Sequence, residues 1–130
     1  ADIGTGSGIL SICAKKFGAK SAYGCDIDDT VIDVCKENAK INHEDCVFEL
    51  NTADKITEKF DFVCANILHN VLAEIMGDLK NIMKDDAKMS LSGILDEKKP
   101  VVLEAIEREG LRIIDTISQD QWISFVVEKK

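Results

Sequence analysis

Short apolar segments alternate with longer segments that repeat apolar residues at helical spacing along the whole of this sequence. Such alternation of strands with helices is typical of a parallel sheet that is covered by helices on both faces. The strand-like segments are the first residues of the chain and the ranges 21–26, 46–50, 60–65, 88–93, 111–117 and 122–127. We therefore predict a doubly wound α/β fold whose sheet has seven strands and is mostly parallel.

The last two strand-like segments differ from the others because only the polar range 118–121 separates them. A crossover helix between parallel neighbours needs about a dozen residues or more, so these segments are expected to form an antiparallel hairpin. Ordinary dinucleotide-binding folds continue with further strand and helix units instead. The hairpin therefore sets the predicted fold apart from them.

Four helices are predicted between the strands, and several residues mark their ends. Thr30 is placed to cap the second helix, and Pro100 fits the first turn of the fourth. Gly18 and Gly110 follow the first and fourth helices, where a glycine suits a left-handed C-terminal residue.

Length and composition predict one domain that spans residues 1–130. The chain is 45% hydrophobic and 31% charged, a balance that allows one buried core in a chain of this size. Residues 1–4 have the character of a strand end, so we expect that the first strand is truncated and that any upstream domain is absent from this sequence.

Several kinds of protein are disfavoured by the composition. No apolar run approaches the roughly 18 residues of a membrane-spanning helix, and the N-terminus lacks the order of a signal peptide. The five cysteines are odd in number and form no C-x-x-C pair, which favours free thiols over disulfides or a metal site. We expect a cytoplasmic protein with no membrane partner and no bound metal.

The charge of the chain bears on its partners. A formal net charge of −8 and a pI near 4.7 oppose direct binding to nucleic acid, which requires clustered Lys and Arg. A basic partner would suit this charge better.

A glycine-rich segment lies between the first strand and the first helix and reads Asp2-Ile3-Gly4-Thr5-Gly6-Ser7-Gly8. Glycines allow tight turns and close approach of a ligand to the main chain, and the helix start behind them offers free N–H donors. The dinucleotide pattern G-x-G-x-x-G would require a small residue at Ile9 or a glycine at Ser11, and no Lys-Ser/Thr pair follows as in a P-loop. The segment predicts a ligand cradle of another kind.

An acidic residue follows at the end of the second strand. Asp26 lies 18 residues beyond Gly8, where an acid accepts hydrogen bonds from both ribose hydroxyls in nucleotide-binding folds. The alternative is a carboxylate at the N-terminus of the next helix, a position that Asp28 and Asp29 also approach. Both interpretations stay open from the sequence.

These motifs together resemble the class I S-adenosylmethionine (SAM)-dependent methyltransferases, whose first two motifs are similar to the glycine-rich segment and to the Gly-x-Asp-Ile-Asp run at residues 24–28. Within that class they look like the ribosomal protein L11 methyltransferase family specifically. The segments that carry this resemblance are 5–12, Ala65-Asn66-Ile67-Leu68, Leu91-Ser92-Gly93-Ile94-Leu95 and Gln121-Trp122-Ile123. The resemblance covers nearly the whole chain and implies the Rossmann-like methyltransferase fold.

The resemblance also implies a set of cofactor-binding residues. The glycines of the loop would hold the methionine portion, Asp26 the ribose and Asp54 the adenine, and the apolar Ile27 fits an adenine-pocket wall. The whole predicted set is Asp2, Gly4, Thr5, Gly6, Gly8, Asp26, Ile27, Asp54 and Asn66, with no metal ligand.

Asn66 is the predicted catalytic residue. It ends the fourth strand, where amino-directed methyltransferases carry an Asn- or Asp-containing motif, and its side-chain oxygen can accept a hydrogen bond from an amine nucleophile. A turn residue is the alternative, because asparagine is common at strand ends.

The resemblance implies a SAM-dependent N-methyltransferase that acts on protein amino groups, with ribosomal protein L11 as the acceptor. The alternatives are a small-molecule or other protein acceptor, or a cofactor-binding module without catalysis. Two departures from the family are the range 84–87, which replaces a Lys-Pro-Gly-Gly turn before the fifth strand, and the missing N-terminal substrate-recognition domain.

Overall fold

A computed structural model describes residues 1–130, and two compact units, Ala1–Lys55 and Ile56–Lys130, divide the chain between them. The first unit contains three parallel strands in the order β3-β2-β1. Its elements are β1 (Asp2–Ile3), α1 (Ile9–Lys16), β2 (Tyr23–Asp26), α2 (Asp29–Ile41), β3 (Val47–Leu50) and a 3-10 turn at Ala53–Lys55.

The second unit contains four strands in the order β4-β5-β7-β6. β4 pairs in parallel with β5, whereas β7 is antiparallel to both of its neighbours. Its elements are β4 (Phe60–Asn66), α3 (His69–Asn81), β5 (Met83–Leu95), a 3-10 turn at Asp96–Lys98, α4 (Lys99–Arg108), β6 (Leu111–Gln119) and β7 (Trp122–Lys129).

The prediction of seven strands in a mixed sheet that ends in an antiparallel hairpin is confirmed. Gln119 pairs with Trp122, so the hairpin turns on the two residues between them. Gly18 and Gly110 follow α1 and α4 with φ angles of 103° and 70°, as predicted for left-handed residues after helices. Pro100 lies in the first turn of α4.

The predicted start of the fifth strand was wrong by five residues. β5 begins at Met83, which pairs with Phe60, and the next pair joins Phe62 to Lys88. The range 84–87 is therefore an irregular excursion within the strand and does not form a separate turn before it. An exposed ion pair joins this excursion to β4, with Nζ of Lys84 3.0 Å from Oδ1 of Asp61.

Several apolar residues that suggested buried faces are exposed. α1 buries Ser11 and Ile12, while Phe17, just beyond its end, is 90% exposed. Phe62 in β4 is also half-exposed, so that strand is not fully covered on both faces. Helical spacing located α1 correctly but overstated how much of its apolar surface is buried.

Each unit has its own apolar packing. In the first, Ile12 of α1 packs with α2 and β3 residues in a cluster that includes Ile32, Cys35, Ala39 and Phe48. In the second, α3 and β5 supply fully buried side chains: Leu72, Met76, Leu79, Met89, Leu91 and Ile94. None of the helices combines the length and the apolar character that crossing a bilayer requires.

Replacing Leu79 by Ala tests the core of the second unit. Leu79 is completely buried on α3, so its loss removes apolar burial and leaves a cavity, at a cost of about 2–5 kcal/mol in unfolding free energy. Val101→Ala on α4 is the control, since Val101 is 41% exposed, and its effect should stay within about 0.5 kcal/mol. Urea unfolding curves measure both, and equal losses would contradict the assigned core.

Candidate functional site

The glycine-rich segment forms the loop that joins β1 to α1. Gly6 and Gly8 have φ angles of 57° and 84°, in the left-handed region that favours glycine. A Cβ atom built on Gly8 would lie 3.0 Å from the Phe48 ring, whereas one built on Gly6 would meet nothing within 4 Å. Gly8 is therefore required for close packing against the core, and Gly6 faces open space.

Asp2 fixes the loop from the protein side. The residue is 3% exposed, and its carboxylate accepts hydrogen bonds from Oγ1 of Thr5 at 2.8 Å and from Oγ of Ser11 at 3.0 Å. The side chains of Asp2 and Thr5, both in the predicted cofactor set, thus point into the protein and support the loop. Ser11 was missed, although a single serine on the buried face of α1 was a usable signal.

The main-chain atoms of the loop are held by β2 and α2. The carbonyl of Cys25 accepts from the N–H groups of both Gly4 and Thr5, each at 2.9 Å. From α2, the Cys35 thiol donates to the carbonyl of Gly6 at 2.8 Å, and Nδ2 of Asn38 donates to that of Ser7 at 2.9 Å. Residues three apart share one face of a helix, so α2 holds two consecutive loop carbonyls. The sequence pattern did not indicate either contact.

Asp26 is the last residue of β2 and faces the loop. Its Oδ2 accepts from the N–H of Gly6 at 3.1 Å, and its Oδ1 accepts from the N–H of Asp28 at 3.2 Å. Each carboxylate oxygen has a second lone pair, so the half-buried carboxylate can accept further hydrogen bonds.

Asp28, not Thr30, is the N-terminal cap of α2, which corrects the predicted cap. Oδ1 of Asp28 accepts from Oγ1 of Thr30 at 2.7 Å and from its N–H at 3.0 Å. These bonds lower the pKa of the Asp28 carboxyl from its ordinary value. The carboxylate that caps α2 is therefore that of Asp28.

Ile27 and Asp54 lie at the same edge of the first unit as Asp26. β2 and β3 are parallel, with Asp26 paired to Leu50, and Asp54 follows in the 3-10 turn after β3. Ile27 is 80% exposed although it is strongly apolar. The structure thus brings the loop, Asp26, Ile27 and Asp54 to the carboxyl ends of neighbouring parallel strands, where α/β folds bind ligands.

Asn66 belongs to the second unit, where it ends β4 and pairs with Ser92 of β5. Its side chain is exposed, and the next residue on β5, Gly93, lies beside it. Gly93 was not among the predicted site residues, although a glycine within a strand pattern indicates a bulge or a close backbone approach. No three His, Cys, Asp or Glu side chains lie together in a metal-binding arrangement.

Cys25 lies beneath the loop with its thiol buried. Burial raises the thiol pKa from 9.0 to about 11; the hydrogen bond with the Gly4 backbone lowers it, and the nearby carboxylates of Asp2 and Asp26 raise it further. The other four cysteines are also free. Cys25 is therefore a protonated core residue at neutral pH.

Comparison with known families gives one match over the full chain. The family described as "Ribosomal protein L11 methyltransferase (PrmA)" matches residues 1–130. A ribosomal protein L11 methyltransferase from Dictyoglomus turgidum is 36% identical over 130 residues, and one from Caldicellulosiruptor bescii is 38% identical over 130 residues. These alignments cover 99% of this chain but 44% and 42% of the relatives, so the chain spans less than half their length.

Solved structures agree in fold. Ribosomal protein L11 methylase from Lactobacillus delbrueckii subsp. bulgaricus superposes with a TM-score of 0.96 and 32% identity, covering 99% of this chain and 68% of that one. Magnesium protoporphyrin IX methyltransferase (ChlM) from Synechocystis, solved with bound SAM, superposes with a TM-score of 0.83 and 18% identity, covering 99% and 68%. The second likeness concerns the fold alone.

The raised pKa of Cys25 predicts a loss of stability in base. Below pH 9 the thiol is protonated in both the folded and the unfolded chain; between pH 9 and about 11 only the unfolded chain ionises, which favours unfolding. The difference between the two pKa values limits the loss in unfolding free energy to about 3 kcal/mol. Urea unfolding from pH 8 to 11 should show a steeper decline for the native chain than for Cys25→Ala, and parallel declines would contradict the assignment.

Proposed function

The chain belongs to the ribosomal protein L11 methyltransferase family, and from this we propose that it transfers a methyl group from SAM to amino groups of a protein, with ribosomal protein L11 as the acceptor. The observation that carries the proposal is the pairing of an open glycine loop with the Asp26 carboxylate. The net charge of −8 suits a basic acceptor protein.

The residues of the first unit fit the cofactor. Beyond its chain neighbours, no protein atom lies within 4 Å of the place that a Cβ on Gly6 would occupy, so a ligand can approach the bare backbone there. Asp26 lies beside that space and keeps acceptor capacity, while the exposed Ile27 offers an apolar surface. A hydrophilic sugar and an apolar base would find complementary partners side by side.

We assign the binding roles accordingly. Gly4, Gly6 and Gly8 shape the loop against the methionine portion, and Asp2 and Thr5 keep that loop in place from below. Asp26 accepts hydrogen bonds from the ribose hydroxyls, and Ile27 and Asp54 border the adenine. When bound, SAM would supply a methyl group on a sulfonium. Transfer to the amine would break that sulfur–methyl bond and release S-adenosylhomocysteine as a neutral thioether, and the methylated amine would lose a proton to solvent.

Asn66 is assigned to the acceptor amine. Its side-chain oxygen accepts a hydrogen bond from the neutral amine and orients the nitrogen lone pair for methyl transfer. Because the leaving group needs no activation, alignment and exclusion of water are the main demands on the protein. Support for this role comes from the position of Asn66 at the exposed carboxyl end of β4.

The proposal assigns residues 1–130 to the cofactor-binding and catalytic domain. Because the relatives are more than twice as long as the aligned region, we assign recognition of the acceptor to a part of the protein outside this sequence. A cytoplasmic location is part of the proposal and is supported by the five free cysteines, since disulfides are rare in that compartment.

Asp26→Ala tests the cofactor site. Loss of the carboxylate removes the ribose acceptors and the partner of the Gly6 N–H, so affinity for S-adenosylhomocysteine should fall about tenfold to a hundredfold. Glu37→Ala, at an exposed residue of α2 with the same charge change, is the control and should bind as the native chain does. Isothermal titration calorimetry measures both affinities; no binding by the native chain at millimolar ligand would rule out the cofactor.

Asn66→Ala tests the catalytic assignment. The variant should lose at least about a hundredfold in methyl transfer, because the amine is no longer aligned, while its affinity for S-adenosylhomocysteine is retained. The measurement is transfer of labelled methyl groups to ribosomal protein L11 by the full-length protein. Labelling of a different acceptor would show that L11 is not the acceptor. Cofactor binding without transfer to any acceptor would show that the protein is a non-catalytic binding module.

A further inference from the structure

A β-bulge interrupts β5 beside Asn66. Leu91 pairs with Phe125 and Ile94 pairs with Ile123. Between these two pairs β5 therefore has one more residue than β7. The extra residue falls at Ser92 and Gly93, and Gly93 has a φ angle of 80°. A glycine in the left-handed region is a common way to form such a bulge, and bulges often re-aim side chains next to active sites.

The bulge brings bare backbone against the Asn66 side chain. A Cβ atom built on Gly93 would lie 2.6 Å from Oδ1 of Asn66, and 3.1 Å and 3.3 Å from the carbonyl oxygen and nitrogen of Ile67. The first distance is shorter than real Cβ contacts, and the two Ile67 atoms are backbone, which cannot rotate away. Any side chain at position 93 would therefore displace the Asn66 amide, the Asn66–Ile67 backbone, or both.

We propose that Gly93 is a positioning residue for methyl transfer: the absence of a side chain at this bulge sets where the Asn66 amide lies at the end of β4. This inference rests on the proposed function, because Gly93 acts through the Asn66 amide. Since misplacement by about 1 Å can lower a rate by about a hundredfold, a single methyl group at this position is sufficient to impair turnover.

Gly110 provides a matched control for backbone strain. It follows α4 with a φ angle of 70°, close to that of Gly93, and an added Cβ would meet only Nζ of Lys80, at 3.6 Å. Gly110→Ala and Gly93→Ala therefore impose similar backbone strain. Only Gly93→Ala presses on Asn66.

The experiment compares Gly93→Ala with Gly110→Ala by two measurements. In ¹⁵N-correlated NMR spectra, the Asn66 side-chain amide signals, assigned by their loss in Asn66→Ala, should move in Gly93→Ala and stay in place in Gly110→Ala. In labelled methyl transfer to ribosomal protein L11 by the full-length protein, Gly93→Ala should lower kcat by about a hundredfold. The affinity of the Gly93→Ala variant for S-adenosylhomocysteine should change less than twofold. Added to Asn66→Ala, the Gly93→Ala substitution should cause no further loss of methyl transfer.

Two results would overturn the inference: unchanged Asn66 amide signals in Gly93→Ala, or an equal further loss of transfer when Gly93→Ala is combined with Asn66→Ala. Gly93→Asn serves if the alanine variant does not fold, because asparagine tolerates a positive φ but still carries a Cβ atom. Native protein that transfers nothing to L11 would contradict the proposed acceptor, whereas the NMR comparison would still decide the role of Gly93.

Discussion

The first unit of the structure depends on how one peptide segment, at Gly6, is held. Its N–H donates to the Asp26 carboxylate and its carbonyl accepts from the Cys35 thiol, so β2 and α2 hold the same residue from different sides. A hydrogen bond to a carboxylate is about twice as strong as one between neutral groups, which makes the Asp26 contact the dominant one. Because Gly6 has no side chain, this fixed segment still presents open backbone to a ligand.

A second set of hydrogen bonds explains why the buried carboxylate of Asp2 is tolerated beneath the loop. Asp2 is almost fully buried, and an unpaired carboxylate there would cost several kcal/mol, on the order of the stability of a small domain. The hydroxyls of Thr5, in the loop, and of Ser11, in α1, satisfy it. The cost of burying the acid is thus offset by the contacts that order the loop.

What could be predicted from the sequence was local in the chain. The glycine spacing, the acid at the end of β2 and the short connection between β6 and β7 each depend on neighbouring residues, and the structure has all three features. Cys35 and Asn38 contact loop residues that lie 29 and 31 positions earlier in the chain, and the periodicity of the sequence does not predict such contacts. The start of β5 was missed for a similar reason, since Met83 becomes a strand residue through its pairing with Phe60 on β4.

The acids at the end of β2 and just after it show how the start of a helix resolves what composition leaves open. Asp26 and Asp28 are two residues apart and chemically identical, so either could cap α2 or face the loop. Helix geometry decides between them, because the cap must precede the first helical residue, Asp29, and accept from the N–H groups that follow. Asp28 satisfies that condition. Asp26, two residues earlier at the end of β2, instead accepts a hydrogen bond from Gly6.

Missing side chains have two different physical uses in this fold. At Gly6 the absent Cβ leaves space that a ligand can enter, whereas at Gly93 the corresponding space is already filled by the Asn66 amide and the Ile67 backbone. Both glycines have positive φ angles, so backbone conformation alone does not distinguish the two uses. The atoms around a Cβ built at each glycine distinguish the two uses. They show which glycine leaves room for a ligand and which one sets the position of a neighbouring side chain.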